Sequence, residues 1–144
     1  MITTASAAIG LARRLEEESA GFYQALSKHY PEHAATLAAF ASDNRKNVQQ
    51  IERAYYGVIS DALEGCFAFN LDEAAWEIDF SHSSGQSVAQ ALARAMELEV
   101  KIIDFYTLAA QQSKGLMADV PRAFLAIARR HEDRLTKIQR LVGG

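Results

Sequence analysis

A carboxylate at the centre of an apolar helical stripe constrains this chain more than any other feature. Within residues 92–109, positions Leu92, Ala95, Glu99, Ile102, Tyr106 and Ala109 recur at spacings of three and four, so they share one face of a helix. An unpaired Glu99 on that face would cost several kcal/mol, so the fold has to bring it a partner. The same pattern occurs earlier in the chain. Glu16 is followed by Phe22 and Tyr23 at the spacing at which Glu99 is followed by Phe105 and Tyr106. Ala12 and Leu15 likewise match Ala95 and Leu98, and every pair lies 83 residues apart. The chain reads as an internal duplication.

Four long amphipathic helices follow from the periodicity. The first is capped by Thr3 or Thr4, runs to about Lys28, and has the inner seam Ile9, Ala12, Glu16, Ser19, Tyr23, Leu26. Pro31 opens the second, whose seam of Leu37, Ala41, Asn44, Val48, Ile51, Tyr55 and Val58 carries the pattern to about Leu63. Residues 64–86 break the periodicity and form a long crossover, with Asn70 a candidate cap for a short helix through Trp76. Ser87-Val88-Ala89-Gln90 has the form of a capping box and starts the third helix, which ends near Ser113 with Gly115 as its stop. Asp119 and Pro121 open the fourth, with the seam Phe124, Ala128, His131, Leu135, Ile138, Val142. The repeat extends to the even helices: Ala41, Asn44, Asn47, Val48 and Ile51 match Ala128, His131, Arg134, Leu135 and Ile138, 87 residues apart. The expected fold is all-α, a single domain over residues 1–144. It is a four-helix bundle of two antiparallel hairpins, with the crossover setting the second and third helices parallel.

Composition narrows the function classes. Only two prolines and eight glycines favour helices, and a net charge of −3 gives no reason to expect a nucleic acid as partner. One cysteine, Cys66, excludes an internal disulfide and a Cys-x-x-Cys metal knuckle, and reads as a packing residue. No apolar run reaches a membrane span and no basic-then-apolar leader is visible, so the expectation is a cytoplasmic protein with no membrane partner.

Two helical hairpins, a long crossover, and Glu-x5-Phe-Tyr in the first and third helices together resemble the ferritin-like superfamily, its rubrerythrin branch in particular. The resemblance implies a bundle in which each odd helix gives one Glu and each even helix a Glu-x-x-His, all turned inward to hold two irons. Carried over by position, the odd-helix ligands are Glu16 and Glu99. The even-helix positions hold Asn44 and Asn47, and His131 and Arg134. Six positions then supply two carboxylates, two amides, one imidazole and one guanidinium. Arg134 cannot deprotonate, so it would stand as a fixed cation inside the would-be metal site.

Three readings of the centre follow. In the first, Glu16 and Glu99 are an inherited pair held by Arg134 and His131, with no metal expected, in a non-catalytic binding or structural module. In the second, Glu16, Glu99 and His131 form a remnant mononuclear site for iron or manganese, an altered metal-binding oxidoreductase of rubrerythrin type. In the third, a di-iron oxidase recruits Asp43 or Glu132. Tyr23 and Tyr106 are expected to bond the buried carboxylates through their hydroxyls. His29, His33 and His82 are read as solvated, and the arginines beside His131 as a solvated face. Phe67, Phe69, Trp76 and Phe80 either pack over the bundle or form a homodimer contact, which the resemblance favours.

Overall fold

In a computed structural model, the chain is described for residues 1–56, 69–82, 85–115 and 119–143. The described residues form four α-helices, α1 (Ala5–His29), α2 (Ala34–Tyr56), α3 (Val88–Gln112) and α4 (Asp119–Gly143). Consecutive helices pair as hairpins, α1 with α2 and α3 with α4. The extension of α2 to Leu63, Val58, Phe67 and Cys66 lie outside the described residues.

The caps are those that the sequence chemistry requires. The Thr4 hydroxyl accepts from the Ala7 amide, and Tyr30 stops α1 ahead of a 3-10 turn, Pro31–His33. Ser87 and Gln90 close the full capping box of α3. Two expectations fail. The short crossover helix is a 3-10 turn, Glu73–Trp76, capped by Asp72 rather than Asn70, because the Asp72 carboxylate accepts from the Ala74 amide. Asn70 instead exchanges two hydrogen bonds with the Gln112 side chain. Gly115 is no left-handed stop either: Gly85 alone has positive φ among the described residues, and the Ser113 amide closes α3 on the Ala109 carbonyl.

Side-chain bonds fix the helix directions. Tyr23 reaches Glu99 and Tyr106 reaches Glu16, so α1 and α3 run antiparallel. Arg134 reaches Asn44 and Arg130 reaches Asn47, so α2 and α4 do too. With both hairpins antiparallel, α2 and α3 run the same way, as a crossover requires. The end of that crossover is tied down: Ile2 and Leu71 exchange backbone hydrogen bonds of 2.7 and 2.9 Å, and the Phe69 amide donates to the Thr3 carbonyl.

The seams bury as the three–four spacing predicts. All six seam residues of α1 and of α3 are buried, and Val48 and Leu135 are half-buried at matched positions. Val142 departs: it is exposed, and Leu141 packs against the core in its place. Phe69 meets Phe124, Trp76 meets Phe105 and Phe80 meets Phe22, all edge to face. The described crossover aromatics therefore pack on their own bundle.

Candidate functional site

The centre of the bundle is a closed polar cluster inside an apolar shell. Glu16, Ser19, Asn44, Asn47, Glu99, His131 and Arg134 are all buried, at 0 to 4 % exposure. Ala12, Ala95, Leu15 and Leu98 are buried on the same odd helices, and Ala41, Ala128, Ile51 and Ile138 on the even ones. Each of these is a repeat-matched pair, so the duplication survives as equivalent packing around the site.

The two carboxylates are held by crossed tyrosines. Tyr23 Oη of α1 donates to Glu99 Oε1 of α3 at 2.6 Å, and Tyr106 Oη of α3 donates to Glu16 Oε2 of α1 at 2.8 Å. Both phenols are pushed well above their usual range, by burial first and then by the carboxylate each one serves. They are proton donors here at any ordinary pH.

His131 lies between the acids. Its Nδ1 is 2.5 Å from Glu99 Oε2 and its Nε2 is 2.7 Å from Glu16 Oε2. A neutral imidazole can donate from only one nitrogen, whereas the imidazolium donates from both. Burial acts to lower the imidazole pKa, but Glu16 and Glu99 outweigh it and carry it up to about 9. Burial also acts to raise the acids. His131, Asn47 and Asn44 bring Glu16 down to about 2, and His131, Arg134 and Tyr23 hold Glu99 below its ordinary value. His131 is therefore a buried cation on two buried anions.

Arg134 completes the charge balance from one side. Its Nη1 donates to Glu99 Oε1 at 3.2 Å and to Asn44 Oδ1 at 3.1 Å, and its Nη2 donates to the Phe40 carbonyl at 2.8 Å. The guanidinium also lies over the Tyr23 and Phe40 rings, 5.0 Å from each centroid. Of the two cations expected to hold the acids, Arg134 pairs with Glu99 alone among the described residues, and His131 bridges to Glu16. Two anions and two cations sum to zero, the composition that a buried network tolerates best.

Amides fill the remaining valences. Asn44 and Asn47 both donate from Nδ2 to Glu16 Oε1, at 2.9 and 2.8 Å. The Asn44 oxygen takes Arg134 and, at 3.4 Å, Ser19 Oγ, while the Asn47 oxygen takes Arg130 Nη1 at 2.9 Å. None of the cluster's fully buried side-chain nitrogens and oxygens is left without a partner among the described residues.

Reading by position thus brings Glu16, Glu99, His131, Arg134, Asn44, Asn47, Tyr23 and Tyr106 into one network. It missed the Phe40 carbonyl, which no side-chain pattern announces, and Arg130. The spacing of Arg130 one turn before Arg134 was a usable signal. His82 also departs from a solvated reading: both ring nitrogens are buried without a partner among the described residues, and the ring sits 4.9 Å from that of His29.

A di-metal centre does not fit this donor set. Both imidazole nitrogens face carboxylate oxygens at hydrogen-bond distance, and Arg134 sits on one of the two carboxylates. No group of three His, Cys, Asp or Glu side chains is arranged to hold a metal ion among the described residues. No helix is long and apolar enough to cross a membrane among those residues. No family model, curated protein or solved structure matches the chain.

Proposed function

We propose that this is a ferritin-like, rubrerythrin-type protein whose metal ligands have been exchanged for an internal ion network, leaving a non-catalytic cytoplasmic structural or binding module. The observation that carries the reading is His131, bonded through both ring nitrogens to Glu16 and Glu99 where the family places a bridged metal pair. An imidazolium and a guanidinium supply the positive charge that carboxylates converging in a core need, and neither can be exchanged for substrate or oxidant. Tyr23 and Tyr106 then orient the acids rather than relay electrons. Of the aromatics expected at a homodimer contact, Phe69 is buried in its own bundle, while Trp76 and Phe80 are half-buried against it.

The test is metal analysis of protein purified without chelator from cells supplemented with iron and manganese, alongside a rebuilt variant. The natural protein should carry neither metal. Asn44→Glu, Asn47→His, His131→Glu and Arg134→His together should restore binding of about two irons, since they recreate carboxylate bridges and imidazole ligands. Near-stoichiometric iron or manganese lost on Glu16→Gln or His131→Gln would overturn the reading in favour of an altered metal-dependent oxidoreductase.

A further inference from the structure

A groove of about 810 Å³ runs between α2 and α4, within the range of small-molecule pockets. The contacts Arg134–Asn44 and Arg130–Asn47 set its antiparallel register. That register divides the lining into two halves of different charge. Towards the start of α2 stand Asp43, Lys46, Asp133 and Lys137, two anions and two cations, with Lys46 3.8 Å from Asp43. Towards the end of α2 stand Arg53, Arg122 and Arg130, with Asp119 the one carboxylate of that half among the described residues. Neither Arg53 nor Arg122 has an ion-pair partner among those residues, and Arg130 spends one Nη1 on Asn47. Three guanidiniums lining one concave wall, in a chain of net charge −3, hold more positive charge than their described surroundings neutralise.

A second observation lies between those arginines. Gln50 lines the same half of the groove, and its Oε1 is buried with no hydrogen-bond donor among the described residues. A buried acceptor without a donor costs free energy, and a ligand hydroxyl or N–H would recover it. Guanidinium forks match the planar oxygens of a carboxylate or the face of a phosphate, and they bind such groups in preference to chloride.

We propose that this half-groove binds a small hydroxylated organic anion, with Arg53, Arg122 and Arg130 on its phosphate or carboxylate and Gln50 accepting from its hydroxyl. The site is independent of the metal-free reading of the core, since none of these four residues occupies a former ligand position.

Isothermal titration of the full chain at low salt tests it, with glucose 6-phosphate and gluconate as probes and inorganic phosphate and glucose as controls. Glucose 6-phosphate or gluconate should bind more tightly than either control, and the better of the two identifies the anionic group. Arg53→Gln with Arg122→Gln, both exposed positions, should weaken that binding by about tenfold or more. Gln50→Leu should bring the tighter probe down to the affinity of inorganic phosphate. The proposal is overturned if neither probe binds at millimolar concentration, or if binding is unchanged in the double arginine variant. The proposal is overturned as well if neither glucose 6-phosphate nor gluconate binds more tightly than inorganic phosphate in the natural protein.

Discussion

The two hairpins are equal in packing and opposite in charge. At matched positions α1 and α3 carry the same groups, Glu16 with Tyr23 and Glu99 with Tyr106, and each pair is fully buried. At matched positions α2 offers Asn44 and Asn47 where α4 offers His131 and Arg134, again buried to the same degree. All the positive charge of the core therefore comes from the second hairpin; the first meets it with one carboxylate, Glu16, and the amide dipoles of α2. The division shows in the two acids. Glu16 rests on two amides, a phenol and one cation; Glu99 rests on a phenol and two cations. A duplicated frame thus tolerates unequal halves provided the charges close across the centre rather than within each half.

The strongest way to break this arrangement is to remove the one group that serves both halves. His131→Leu leaves two buried carboxylates with Arg134 alone and should destabilise the fold by about 3–5 kcal/mol, measured by urea unfolding. Adding Glu16→Gln should recover a large part of the loss, because Arg134 can then neutralise the single remaining acid, Glu99. A double variant no more stable than His131→Leu alone would show that His131 matters by its volume and not its charge.

The same cation can be switched off without mutation. His131 is raised from 6.5 to about 9, so its contribution is complete below 6.5 and is lost as pH rises through about 9. Glu16 is lowered from 4.5 to about 2, so its contribution is complete above 4.5 and is lost as pH falls through about 2. Stability should peak between these windows and fall by roughly 3 kcal/mol on the alkaline side. The fall between 6.5 and about 9 should vanish in His131→Leu, whereas Tyr23 and Tyr106, raised above the ordinary tyrosine range, leave a further loss at higher pH. Thermal unfolding across pH reads both limbs, and a fall between 6.5 and about 9 that survives the substitution would assign it to another group.

Arg134 touches one acid only, and its removal should cost less than that of His131. Arg134→Met, which keeps the stem against Phe40 and Tyr23, should lose about 2–3 kcal/mol. Glu99→Gln should compensate it, whereas Glu16→Gln should compensate it less, since the Arg134 contact runs to Glu99. Equal rescue by the two would mean that the acids share one pool of charge, and the contrast between the hairpins would fail.

How much of this was legible follows the same contrast. The three–four seams and the 83- and 87-residue offsets placed Glu16, Tyr23, Asn44, Asn47, Glu99, Tyr106, His131 and Arg134 in one network, because burial of a repeated stripe is dictated by periodicity. Which cation bridges was not legible. Arg134 has more donors than His131, but reach depends on where the guanidinium is drawn, and the Phe40 carbonyl with two aromatic faces draws it towards α2. Backbone carbonyls and ring faces leave no mark in a charge pattern. The positive half of the α2–α4 groove was hidden for a related reason: along α4 acids alternate with arginines, and only the register against α2 separates Arg122 and Arg130 from Asp133.

The finest test of the inequality lies in the tyrosines, which sit at equivalent positions. Tyr23→Phe and Tyr106→Phe each remove one hydroxyl, keep the ring, and leave the Arg134 stacking face on residue 23 in place. A hydrogen bond to a buried carboxylate is worth about 1.5–3 kcal/mol, so the two substitutions have comparable ceilings. They should nevertheless differ. Glu99 has three donors and loses the shortest phenolic one, at 2.6 Å, in Tyr23→Phe. Glu16 has four, and after Tyr106→Phe it still holds Asn44, Asn47 and His131. The cost of Tyr23→Phe should exceed that of Tyr106→Phe by about 1 kcal/mol, the share of one net hydrogen bond. Repeating both substitutions in Glu99→Gln should erase the gap, because a neutral amide no longer depends on the phenol for charge. Equal costs in the natural background would show that the cations of α4, and not the number of donors around each acid, decide how firmly the two halves are held.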